Sequence, residues 1–409
     1  MPDLTVPVVS GQANHSGIHT DERTEINALR GRTAVLEGTA FGSGSPGQVA
    51  LDSFAGATDD DKLTAALAYV SAQTVKSVIR LANRTYSFTQ SRTTFSGLRI
   101  AGPEGGFQNS EISAGALTTC VVNLNCGVGT SSWLVGSAQT YDIYIANIGF
   151  RSSNGNTQFY HHPLSAGTSY ATWLHSLGFS GFKHVLGQPT NKFSATLLVC
   201  DGGWNITTTR DTQITIGGAD SDIFNDGCNI GPDNTNFTGT ATPLIIFSDF
   251  GKSNVGPIFF TCDNGYYGIQ VSSGTNYGSG LKFRGLRVEG RNPSDPSDGY
   301  VIRIDGGTVV IRDFWAAYGM AAPTLNGMAA QGMIQVNGGT VLIDGVTYDR
   351  SAAVGQDVPL VAVTNPAAKL RVFNVDVGTR GGAWTLLPVV QTSNGATAVT
   401  DDTTRKIAV

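Results

Sequence analysis

Val309-Val310-Ile311-Arg312-Asp313-Phe314-Trp315-Ala316, Val341-Leu342-Ile343-Asp344-Gly345-Val346-Thr347-Tyr348 and Leu370-Arg371-Val372-Phe373-Asn374-Val375-Asp376-Val377 are three copies of one eight-residue pattern. Positions one, three, six and eight are apolar, and position five is small or polar. Further copies begin at Ile143, Thr172 and Leu281, so the starts are separated by 29 (143 to 172), 28 (281 to 309), 32 (309 to 341) and 29 (341 to 370) residues. A weaker copy begins at Ile245, 36 residues before Leu281, and fails at Lys252.

Within a copy, positions one and three alternate as on a strand with one buried face, and the alternation skips a beat at position five. The chain is expected to turn a corner there. A strand, a bend and a second strand cannot bury their apolar side alone, whereas stacked copies can. The pattern therefore predicts an all-β parallel β-helix solenoid. A shorter signature precedes it on several turns, at Ile269/Val271, Ile302/Ile304, Ile334/Val336 and Val361/Val363, with Gly306-Gly307 and Gly338-Gly339 after two of them. Three strands per coil follows.

The 409 residues include 52 Gly but only 15 Pro and are 14% charged, which suits short strands and tight turns. A net charge of −5 carries no basic footprint for nucleic acid. Neither a signal-peptide core nor an apolar run of membrane-spanning length is present, so membrane insertion is not expected and release by lysis or a specialised route is. Five cysteines make no disulfide framework. Cys200, Cys228 and Cys262, spaced near the coil period, are expected as small apolar residues in or near one interior stack. No metal or cofactor motif is legible, and none is expected.

The chain divides into an N-terminal arm and short helix (1–40), a Gly/Ser linker (41–50), a β-helix domain (51–390) and a C-terminal tail (391–409). In the arm, residues 21–36 have acids in the first turn, and Ile26, Leu29 and Leu36 make a short apolar seam suited to a trimeric coiled coil. In the domain, Thr58 or Asp59 can cap a helix over 58–72 whose Leu63, Ala66, Leu67 and Val70 form a stripe. Such a helix would close the exposed end of a solenoid.

The segments Gly56-Ala57-Thr58-Asp59-Asp60, Ala65-Ala66-Leu67, Val78-Ile79-Arg80-Leu81 and Arg84-Thr85-Tyr86 resemble the opening of the single-stranded right-handed β-helices of phage tailspikes and related pectate-lyase-like proteins. The resemblance spans roughly residues 50–380. It departs in lacking Gly-Asp-Gly before the Asp pair and in having Asn83-Arg84 where Pro-x-Gly is common. It implies a right-handed solenoid, a homotrimer, and an N-terminal region docked on other phage tail proteins. It also implies a virion location assembled in the host cytoplasm and contact with host surface polysaccharide. Because β-helices host lyases, hydrolases and binders alike, the activity has to come from a site.

Adjacent coils lie about 4.8 Å apart, which matches the roughly 5 Å carboxylate separation of a retaining glycosidase. The richest acidic stretch holds Asp220, Asp222 and Asp226, with Asp201 and Asp211 upstream and Asp249 downstream. These three are the catalytic candidates; the competing assignment is turn residues capping their own backbone. The Gly-His-Gly and Arg-Ile-Lys elements of polygalacturonase-type β-helices are absent. His161-His162 falls in an aromatic stretch expected to be an exposed loop, and His175 is at an outward position. Trp173 and Trp204 are the candidates for stacking on sugar rings, with core burial the competing fate of Trp204. The expected function is a structural, receptor-binding tail protein; the alternative is a polysaccharide depolymerase.

Overall fold

The computed structural model describes residues 47–104, 120–127, 131–152, 157–163, 165, 167–208, 212–218, 221–232, 243–250, 253–262, 267–272, 280–290, 302–318, 334–349, 361–379, 390–392, 399–400 and 405–408. The chain divides into Met1–Val49 and Ala50–Val409, and the second unit is the solenoid. Ile26, Leu29, Leu36 and Asp220 lie outside the described residues.

Strands pair in parallel with strands one coil away and build three strips. On the first strip, one inward column runs through Ile145, Leu174, Cys200, Ile223, Val255 and Phe283. It continues through Ile311, Ile343 and Val372, each at most 3% exposed. On the second strip Phe150 and Phe179 share an inward column with Ile206 and Ile230. The third strip stacks Ile269, Ile302, Ile334 and Val361, the shorter signature of the sequence.

Position five is the corner between the first and second strips. Its residues adopt left-handed backbone: φ is 58° at Asn147, 51° at Ser176, 63° at Gly285, 54° at Asp313, 77° at Gly345 and 50° at Asn374. Gly reaches this region without penalty and Asn or Asp at modest cost, whereas most side chains crowd the following carbonyl. The small or polar requirement in the sequence is that steric rule repeated every coil.

Two expectations about the solenoid's extent are corrected. Ile245 and Phe247 pair with Ile269 and Val271, so the weaker copy belongs to the third strip. The first and second strips of that coil are Ser253–Val255 and Ile258–Cys262, on either side of Gly256-Pro257. Both signatures share an apolar alternation, and only the corner residue tells them apart. The solenoid also does not end at 390: Val390–Thr392, Val399–Thr400 and Arg405–Ala408 pair in parallel with strands of the preceding coil. Thr400 and Lys406 occupy the column positions of Val372 and Val377, so the apolar pattern fades before the pairing does.

The expected helix spans Asp59–Ser71, with Thr58 as N-cap in a capping box with Asp61. Leu63, Ala66 and Val70 are fully buried, and the helix contacts strands Val78–Arg80 and Thr85–Phe88. Asp60 anchors it, accepting from Thr89 N and Oγ1 at 2.7 Å each and from Arg92 Nη2 at 3.0 Å.

Cys200 and Cys228 are both buried, but in different strips, Cys200 between Leu174 and Ile223 and Cys228 between Trp204 and Ile258. The single cysteine stack is thus replaced by two columns, since the coil period fixes stacking only between residues of one strip. Burial pushes both thiols up, away from reactive thiolate.

Candidate functional site

Strand alternation sends positions two and four of the first strip outward. The position-two column reads Arg99, Tyr144, Trp173, Val199, Asp222 and Asn254. The position-four column brings Ala146, His175 and Asp201 side by side. Tyr144, which packs against Val78, Ala101 and Ala146, and Trp173 are half-buried on neighbouring coils. Beyond a further left-handed turn at Asp142 and Ala171, Tyr141 and Tyr170 stack with ring centroids 5.2 Å apart, and Tyr141 is 51% exposed. Two coils thus place Tyr144 beside Trp173 on the first strip and stack Tyr141 on Tyr170 before the turn.

Beside them His175 Nδ1 lies 2.8 Å from Asp201 Oδ1, and both side chains are reached by solvent. An ionised carboxylate only accepts, so Nδ1 carries the hydrogen, and in the neutral imidazole the lone pair is then on Nε2. Gly202 makes the contact possible: its φ is 70°, and a Cβ there would come within 2.5 Å of His175 Cε1. The Gly202 amide donates to Asp226 Oδ2 at 2.8 Å, which draws a second carboxylate toward the pair. A carboxylate-oriented imidazole can move a proton at a bound sugar ring or water.

The acidic candidates are separated by this geometry. Asp226, exposed in the turn after Ile223, accepts from the amide of Gly202, the residue after Asp201. Asp222 stands in the outward column, where Asn254 Nδ2 donates to its Oδ1 at 2.9 Å. Trp204 is corrected outright as a sugar platform: it is 3% exposed, its ring packs between Phe179 and Phe224, and Nε1 donates to Leu174 O at 3.2 Å. It continues an interior aromatic series from Phe88 through Trp133, Phe150 and Phe179. Position six after the corner points inward, and that phase decides its fate.

His161 and His162 are likewise not an exposed loop. His161 ends strand Gln158–His161, and His162 is fully buried between Tyr160 and Phe193. Burial, with a smaller contribution from His161, pushes its pKa down to about 4.

Sequence reasoning placed His175 at an outward position and Asp201 beside the acidic stretch, but did not bring the two together. The available signal was positional: each is the residue after an inward first-strip position, Leu174 or Cys200, in consecutive coils.

No family model matches the chain, and no curated protein matches it. One solved structure similar to it is the mannuronan C-5 epimerase AlgE6 A-module of Azotobacter vinelandii. Identity is 12%, 88% of this chain and 99% of that chain are covered, and the TM-score is 0.29. The β-solenoid assignment stands on the strand register.

Proposed function

We propose that this chain is a polysaccharide-binding β-helix protein that contacts the bacterial envelope as a tailspike or minor tail protein of a bacterial virus. The observation that carries glycan binding is the outward Tyr144–Trp173 pair on the same face as His175–Asp201. Flat rings on a rigid sheet, flanked by a few directional polar groups, suit pyranose C–H faces and hydroxyls. The viral assignment rests on the tailspike-like opening of the domain and the short N-terminal arm with its Ile26, Leu29 and Leu36 seam. In this picture helix Asp59–Ser71 closes the end of the solenoid, three chains associate in parallel, and residues 1–40 dock on other tail proteins.

Affinity electrophoresis through gels containing extracted bacterial surface polysaccharides tests it. The wild type is expected to be retarded by at least one, and Trp173→Ala to weaken that binding about tenfold, or roughly 1.4 kcal/mol. Equal retardation of the variant, or none for the wild type across the panel, overturns the assignment.

The His175–Asp201 hydrogen bond favours a second activity, polysaccharide depolymerisation with His175 as base. Release of reducing ends or unsaturated sugars by the wild type, reduced about a hundredfold or more in His175→Ala, distinguishes a depolymerase from a binder.

A further inference from the structure

A second surface lies on the same solenoid, three coils beyond Asp201. Lys282 and Arg284 flank the inward Phe283 and point outward, and Arg284 is in register with Arg312 of the next coil. All three are exposed. Adjacent strands are about 4.8 Å apart, and like charges set directly opposite one another are unfavourable.

The acids near them, Asp313 and Asp344, make no ion pair with these cations. Asp313 is at the corner after Arg312, and Asp344 is the next residue of the Arg284–Arg312 column, with its Oδ1 accepting from Asn374 Nδ2 at 2.8 Å. Among the described residues, none of the three cations takes part in an ion pair.

Three residues past Arg284, across the Gly285 corner, the outward second-strip column reads Phe259, Arg287 and Trp315. The Arg287 guanidinium stands 5.2 Å from the Phe259 ring centroid and 4.6 Å from that of Trp315. Arg287 is exposed, and both rings are half-buried with edges at the surface. The corner thus has a row of cations at the strand repeat on one side and a cation held between flat rings on the other.

We propose that this corner is a second glycan site, selective for acidic polysaccharide. Arg284 and Arg312 would take carboxylate groups of successive sugars in charge-assisted hydrogen bonds, a task matched to the guanidinium fork. Trp315 would cover a sugar face beside them. A polymer fits better than a single anion because Arg284 and Arg312 follow one another along the solenoid axis. This site goes beyond the Trp173 platform and does not depend on it.

The test uses the full chain in affinity electrophoresis with carboxymethyl-dextran and unmodified dextran, which differ only in their carboxylates, and with double-stranded DNA as a non-sugar polyanion. Retardation by carboxymethyl-dextran but not dextran is expected, falling with added salt. The double variant Arg284→Gln/Arg312→Gln should weaken it at least tenfold and Trp315→Ala several-fold. Circular dichroism confirms that the variants, altered at surface positions, keep their strands. The inference fails if carboxymethyl-dextran does not retard the protein, if dextran retards it equally, or if the double variant binds carboxymethyl-dextran as the wild type does. It also fails if DNA binds as tightly as carboxymethyl-dextran and Trp315→Ala changes neither.

Discussion

Acidification should weaken the coil that holds His162. Its imidazole is fully buried against Tyr160 and Phe193, and its pKa falls to about 4, from 6.5 in an unfolded chain, chiefly through desolvation. Because the folded-state value is the lower one, the unfolded chain takes up the proton first. The stabilisation is complete above about pH 6.5, is lost as the pH falls toward 4, and then levels off. The interval corresponds to about 3 kcal/mol. Trp133, stacked with Phe88 and packed near Phe159 on the strand that leads to His162, offers a local fluorescence signal. Urea unfolding followed by that emission between pH 7.5 and 4 should show the loss in the wild type. In His162→Leu, which keeps the site apolar and filled, the loss should be smaller by about this amount. The acids that titrate near pH 4 are common to both proteins and cancel in the difference. Parallel curves for the two proteins would refute the assignment of a neutral, buried His162.

Asp60→Ala leaves Arg92, whose side chain is 11% exposed, without its carboxylate; a loss of about 3 kcal/mol is expected, seen first as faster amide exchange in helix Asp59–Ser71. Asp313→Val puts a β-branched residue at φ 54° and should cost at least about 1–2 kcal/mol in thermal or denaturant unfolding, whereas Asp313→Gly should cost less. An equal cost for the two would remove the backbone explanation of position five.

Strand phase and corner chemistry were legible in the sequence because both are local. Alternation at positions one and three sets which side chains turn inward, and a left-handed corner admits few residue types, so Ile311, Ile343, Val372, Asn374 and Gly345 announced their roles in the chain itself. The end of the solenoid was not legible, because Thr400 and Lys406 keep the backbone pairing without the apolar signal. Neither was the coil at 245–262, where a Gly-Pro corner replaces the usual octad. The candidate site depends on tertiary structure still more. His175 and Asp201 are 26 residues apart and meet only because one coil stacks on the next in a particular register. Trp173 and Trp204 part company because the alternation shifts at the corner, so that the position of Trp173 faces outward and that of Trp204, in register with Leu177, faces inward. A sequence states the direction of each side chain along its own strand; which side chains become neighbours is decided by the number of residues each coil spends in its turns, and that is settled only when the coils pack.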